Sequence, residues 1–114
     1  MSYFCHLSPR QKWSFVAMRV RCALHPEHPE MVEQFVQVGG FLAQRSRIDP
    51  WEAAVVTAQV LLDTATDREL PLHWRNRCMR NLPEQLALLD RMALSPADMQ
   101  QAQGFRRRAE LAIV

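Results

Sequence analysis

Residues 49–66 read DPWEAAVVTAQVLLDTAT, and this stretch decides the fold class. Asp49 and Glu52 have the spacing of a capping box, and Pro50 occupies the first helical position, where its missing N–H has no intrahelical partner to lose. At 100° per residue, one face of the stretch is apolar throughout. That face comprises Trp51, Ala54, Val55, Ala58, Leu61, Leu62 and Ala65. The stretch therefore predicts an amphipathic helix over about 50–66 with Trp51 and Leu62 buried.

Further prolines divide the rest of the chain in the same way. Ser8 and Gln11, and Ser95 and Asp98, repeat the capping pattern around a proline. Other helix starts are predicted at Pro29, Pro71 and Pro83. An apolar pattern of helical period follows each start, and no segment shows the sustained alternation of a strand. The remaining helices are predicted over about 9–24, 29–45, 71–81, 83–94 and 96–112. We therefore expect an all-α fold, a compact bundle of five or six short helices.

Length and composition indicate one ordinary globular domain spanning residues 1–114. Hydrophobic residues make up 48% and charged residues 23% of the chain, which argues against disorder. The net charge of +2 is too small to imply a polyanionic partner by itself. Of the 14 basic residues only Lys12 is a lysine, a bias that favours a GC-rich bacterial genome over a special role for guanidinium groups.

The cysteines and the apolar runs indicate a cytoplasmic protein. Cys5, Cys22 and Cys78 are odd in number and widely spaced, unlike a disulfide framework. The first residues do not resemble a signal peptide, and no apolar run approaches the ~18 residues of a membrane span. We expect a cytoplasmic location and no membrane partner.

The first predicted helix carries apolar side chains on two opposite faces. Trp13, Val16, Ala17, Val20 and Leu24 form one face, and Phe15, Met18 and Cys22 the other. Such a helix is central in the bundle or carries a second interface, and the central position is the favoured interpretation. The alternative is that the second face binds another chain, with Arg19 at its rim. Phe41 and a second stripe of Ala53, Val56 and Val60 would add exposed apolar surface.

Cysteine and histidine also cluster around the first connector. Cys22, His25 and His28 lie at i, i+3 and i+6, with Cys5 and His6 upstream. Both residue types bind zinc and copper, but structural sites usually show paired short spacings such as C-x-x-C. The favoured interpretation is a solvent-exposed loop, and we predict no metal and no cofactor.

Two basic segments raise the alternative of nucleic-acid binding. His73, Arg77 and Arg80 align on one predicted face, and Arg106, Arg107 and Arg108 are consecutive on the last helix. Such faces can contact phosphates, although a dedicated binder normally carries a larger positive footprint.

Catalytic motifs are absent from the sequence. Ser14 has no nucleophile elbow around it, and Cys78 falls on a predicted packed face. By elimination, the sequence favours a small non-enzymatic bacterial adaptor, chaperone-like protein or regulator. It would bind a protein partner, or a second copy of itself, through Phe15, Met18, Arg19, Cys22 and Phe41. A DNA- or RNA-binding regulator is the alternative.

Overall fold

A computed structural model of the chain describes residues 7–113, which form five α-helices and, within that range, no β-strand. The helices are α1 (Pro9–Arg21), α2 (Met31–Gln44), α3 (Pro50–Ala65), α4 (Leu72–Met92) and α5 (Pro96–Ile113). The all-α bundle predicted from the sequence is confirmed. The radius of gyration is 14.3 Å, close to the ~13 Å expected for a compact chain of this length.

The predicted caps form at the starts of α1, α3 and α5. The Gln11 N–H donates to Ser8 Oγ at 3.2 Å, and the Ser8 N–H donates back to Gln11 Oε1 at 2.8 Å, which completes a capping box. Asp49 Oδ2 accepts from the Glu52 N–H at 3.0 Å, and Ser95 Oγ accepts from the Asp98 N–H at 3.1 Å. These bonds satisfy backbone donors that the first helical turn leaves unpaired.

The predicted helix start at Pro83 is wrong, because α4 runs through it without a break. A proline inside a helix removes one backbone hydrogen bond and costs about 3 kcal/mol. Leu82 and Leu86 are buried on either side of Pro83, while Pro83 itself is exposed. Burial of each leucine contributes about 1.5–3 kcal/mol, so burying both offsets the cost of the proline.

Two helix ends use residues that the sequence does not mark as caps. Ala23 follows α1 with φ 47°, and Ser46 follows α2 with φ 57°. At the first end, the Leu24 N–H donates to the Arg19 carbonyl at 3.1 Å, the hydrogen bond of a Schellman motif. The helix therefore stops at Arg21, and Leu24, predicted to lie on its apolar face, is exposed.

The core is organised around α3, which packs against all four other helices. Ala58, Leu61 and Leu62 are fully buried on it, as the periodic pattern predicts. Trp51, in the first turn of α3, is partly buried and packs against the edge of the core. No helix within residues 7–113 is long and apolar enough to cross a membrane.

Two tryptophans fix the position of α1. The Trp13 ring stacks on Phe35 of α2 with centroids 5.3 Å apart, and its Nε1–H donates to the Phe35 carbonyl at 3.1 Å. On the other end of α1, Trp74 Nε1–H donates to the Val20 carbonyl at 2.9 Å. These contacts hold the Trp13 side of α1 against the bundle, so the opposite side of the helix is outermost.

Candidate protein-binding surface

The opposite side of α1 faces away from the core. Trp13, Ala17 and Val20 are buried on the inner side, whereas Phe15 is 39% exposed and Met18 47% exposed. Cys22, the C-cap residue of α1, is exposed as well. The favoured interpretation of a central helix with both stripes covered is therefore wrong, because α1 lies at the periphery. Its second apolar stripe remains accessible to another molecule.

Positive charge borders this apolar stripe. No acidic residue occurs in α1, and two of its basic residues, Arg10 and Arg21, pair with Glu52 and Asp67. Lys12 and Arg19 are exposed, and neither forms an ion pair or a side-chain hydrogen bond with the described part of the chain. We call Lys12, Phe15, Met18, Arg19 and Cys22 the outer face of α1.

Phe41 is exposed on α2, as predicted, with 52% of its surface accessible. The Arg45 guanidinium carbon lies 4.4 Å from the centroid of its ring, which is a cation–π distance. Arg45 thus shields one side of the ring and places a further positive charge beside an exposed aromatic group.

The second stripe of α3 does not add exposed surface. Ala53 is buried, and Val56 and Val60 are partly buried against the core. The sequence-based expectation of an extra apolar face on α3 is wrong, because α3 is surrounded by the other helices and both of its stripes are packed.

The basic residues of the alternative function contact several different elements. Arg77 of α4 binds Glu33 of α2, and His73 Nε2 lies 2.9 Å from the Pro26 carbonyl oxygen. On α5, Arg106 pairs with Asp90 of α4, and Arg108 Nη2 lies 2.9 Å from Asp63 Oδ1 of α3. Arg80 and Arg107 are exposed and form no ion pair within residues 7–113. Three of the five arginines thus have carboxylate partners, which reduces the positive charge that phosphates would meet.

Glu33 of α2 is held by two side chains of α4. Its Oε1 accepts from Arg77 Nε at 2.5 Å, and its Oε2 accepts from Asn81 Nδ2 at 2.6 Å. Partial burial acts to raise the pKa of Glu33, but the two hydrogen bonds and the charges of Arg77 and Arg80 outweigh it, so the pKa is lowered. Glu33 and Arg77 are 44 residues apart on different helices, so no local sequence pattern predicts their contact.

The two described cysteines differ in chemistry. Cys22 is exposed, whereas Cys78 is fully buried, and burial, reinforced by the charge of Glu33, raises the pKa of its thiol to about 12. The thiol of Cys78 is therefore protonated at neutral pH and is not an activated nucleophile. Ser14 Oγ donates to the Arg10 carbonyl at 3.0 Å, a bond within its own helix.

The residues of the possible metal cluster are exposed to solvent or lie outside the described range. His25 and His28 are exposed, and the Nδ1 of His28 lies 3.2 Å from Glu30 Oε1. Cys5 and His6 lie outside the described residues. Within residues 7–113, no group of three or more His, Cys, Asp or Glu side chains is arranged to hold a metal ion.

Comparison with known proteins adds no relative: no family model matches the chain, and no curated protein or solved structure is detectably similar to it.

Proposed function

We propose that this protein is a small non-enzymatic adaptor, chaperone-like protein or regulator that binds a protein partner through the outer face of α1. The observation that carries the proposal is that exposed Met18 and Cys22 lie beside Lys12 and Arg19, whose charges have no partner within residues 7–113. Accessible apolar side chains bordered by charge are typical of a protein interface, with an apolar centre and a polar rim.

The charge of this face favours an acidic partner. Arg10 and Arg21 have carboxylate partners within the fold, so among the basic residues of α1 Lys12 and Arg19 are the ones without an ion pair in residues 7–113. A partner segment with apolar side chains in its centre and Asp or Glu at its edges would match both features. Charge pairs at the rim would set orientation and the rate of association more than affinity.

The same charge disfavours self-association through α1. In a two-fold symmetric dimer each face meets its own copy, so positive groups would face positive groups. We therefore expect a heterologous complex, with the isolated protein monomeric at micromolar concentration. Sedimentation of the purified protein at low and high salt tests this expectation.

The size of the face suits a complex of modest affinity. Burial of a side chain such as Met18 contributes about 1.5–3 kcal/mol, and a micromolar complex requires about 8 kcal/mol beyond the costs of association. The few apolar side chains of this face supply less than that on their own, so we expect a complex no tighter than micromolar. Affinities of this order are typical of reversible adaptor and regulatory contacts.

Quantitative affinity capture from nuclease-treated host extract tests the proposal. Wild type is compared with Met18→Asp and with Leu72→Asp, because Leu72 is 63% exposed on α4 and is not part of the outer face of α1. We expect a captured protein whose yield falls at least tenfold with Met18→Asp and is unchanged with Leu72→Asp. Phe15→Asp should have the same effect as Met18→Asp, with circular dichroism showing that both variants remain helical. Equal capture by all four proteins would refute the proposed interface.

Nucleic-acid binding through Arg80 and Arg107 is the second candidate, because these two arginines remain without carboxylate partners in the described chain. Its signature is a steep loss of affinity as salt rises, whereas an apolar interface responds weakly. Binding to labelled DNA or RNA that weakens by orders of magnitude between 50 and 200 mM salt, about the range expected for several phosphate contacts, would favour this alternative.

A further inference from the structure

A groove lies where α2, α3 and α4 meet. It encloses about 280 Å³, and we call it the α2–α4 groove. Its wall on α2 includes Gly39 and Gly40, and Leu88 and Met92 contribute from α4. This volume is slightly below the ~300 Å³ at which the usual range of small-molecule sites begins. The complete lining consists of Gly39, Gly40, Ala43, Gln44, Pro50, Ala53, Ala54, Thr57, Gln85, Leu88 and Met92.

No ionisable side chain lines this groove, but one buried amide does. Gln85 is only 8% exposed, and its side chain forms no hydrogen bond with any described residue. No fully enclosed side-chain nitrogen or oxygen within residues 7–113 lacks a partner, so the Gln85 amide keeps contact with the open space of the groove. A largely buried amide without a protein partner is normally bonded by water or by a ligand. Gln85 therefore offers one donor group and one acceptor to a molecule in the groove.

The second feature of the groove is Gly40, which has open space beside it. A Cβ at Gly39 would collide with Trp13, so packing explains that glycine. A Cβ at Gly40 would meet nothing within 4 Å, and glycine in a helix costs about 1 kcal/mol relative to alanine. Nothing within the fold requires Gly40 to lack a side chain. Gly40 is exposed and lines the groove, so its missing side chain leaves the space beside it open.

We propose that the α2–α4 groove binds a small neutral molecule with an apolar body and one carboxamide or similar amide group. The Gln85 NH₂ donates to the carbonyl oxygen of the ligand, and Gln85 Oε1 accepts from its N–H. The apolar body lies between Leu88, Met92 and the small residues of α2 and α3. A charged ligand is disfavoured because it would lose its hydration with no counter-ion in the lining. Gly40 keeps the entrance open.

Titration of isotope-labelled protein with three probes, followed by ¹H–¹⁵N NMR, tests this site. The probes are benzamide, which has a neutral amide on a ring, benzoate, which is charged at pH 7, and toluene, which has no polar group. Benzamide should shift the backbone signals of Gly40 and Ala54 and the side-chain NH₂ signals of Gln85. Its dissociation constant should be at least tenfold lower than those of benzoate and toluene.

Three variants make the test specific to this groove. Gln85→Leu should weaken benzamide to the level of toluene, because only the amide contact is lost. Gly40→Leu should weaken benzamide at least tenfold by filling the entrance. Gly104→Leu is the matched control, since a Cβ at Gly104 also meets nothing within 4 Å but lies on α5, outside the groove. It should bind benzamide as wild type does.

The proposal is overturned if benzamide shifts no groove signal up to its solubility limit, or if benzoate binds as tightly. It is equally overturned if Gln85→Leu binds benzamide as tightly as wild type. Shifts of the groove signals that depend on protein concentration instead of added probe would assign the groove to a protein contact.

Discussion

Gly39 and Gly40 are neighbours in α2 with opposite surroundings. A Cβ at Gly39 would lie 2.6 Å from Trp13 Cζ2, well inside van der Waals contact, and a Cβ at Gly40 would meet open space. The Trp13 ring cannot move away easily, because it is also stacked on Phe35 and bonded to the Phe35 carbonyl. Gly39 is thus the residue that lets α1 approach α2 closely.

Alanine substitution should therefore have opposite effects at the two positions. We expect Gly39→Ala to destabilise the protein by about 1–3 kcal/mol through overpacking, even though alanine is the better helix former. Gly40→Ala should stabilise by up to about 1 kcal/mol. Urea unfolding of both variants measures the difference, and a stabilising Gly39→Ala would mean that Trp13 does not hold α1 in this position.

The two described cysteines, Cys22 and Cys78, also differ in their surroundings. Cys78 has a raised pKa in the buried core, and Cys22 is exposed on the outer face of α1. In the native protein at pH 7.5, iodoacetamide should modify Cys22 and leave Cys78 unmodified, whereas both should react after unfolding in urea. Peptide mapping by mass spectrometry reads out each site. Rapid modification of native Cys78 would contradict its burial.

Between elements, Glu33 joins α2 to α4 through Arg77 and Asn81. The pKa of Glu33 is lowered in the folded state relative to about 4.3 in the unfolded chain. A lowered folded-state pKa means that the stabilisation is present above the unfolded-state pKa. It is lost as the pH falls through the folded-state pKa.

The prediction is a pH-dependent effect of Glu33→Gln. The variant should be less stable than wild type at pH 7, and the difference should shrink as the pH is lowered towards 2.5, because Glu33 becomes progressively protonated. Glu110→Gln, an exposed change on α5, is the control and should match wild type at both values. Urea unfolding at each pH measures the effect. A difference that stays constant would show that the ionised carboxylate is not the stabilising group.

The sequence predicts the starts of these helices better than their ends. Capping patterns predict the starts of α1, α3 and α5, because these starts depend on local hydrogen bonds. The side chains of Ser8, Asp49 and Ser95 each accept from the backbone N–H three residues further along the chain. Helix ends were harder, because Ala23 takes the left-handed conformation that usually marks a glycine. The sequence does not show that α4 continues through Pro83, because burial of the neighbouring leucines outweighs the local cost of the proline.

At the scale of the whole molecule, the candidate surface was predictable only in part. The periodicity of α1 separated Phe15, Met18 and Cys22 from the inner face, and their exposure agrees with one of the two interpretations left open. Which interpretation holds depends on whether another helix covers α1, and that is a property of the assembled bundle. The same holds for the α2–α4 groove and the buried Gln85 amide. Both form where three helices meet, so no local sequence pattern predicts them.

Site-specific photocrosslinking at position 18 tests the central claim most directly. A photoreactive phenylalanine analogue replaces Met18 in one protein and Leu72 in another, and both are irradiated in host cells. If the outer face of α1 binds a protein, the probe at position 18 yields a discrete protein adduct that the probe at position 72 does not. The adduct should disappear when Arg19→Glu reverses the charge beside it. Identical adducts from both positions, or none at position 18, would contradict the account.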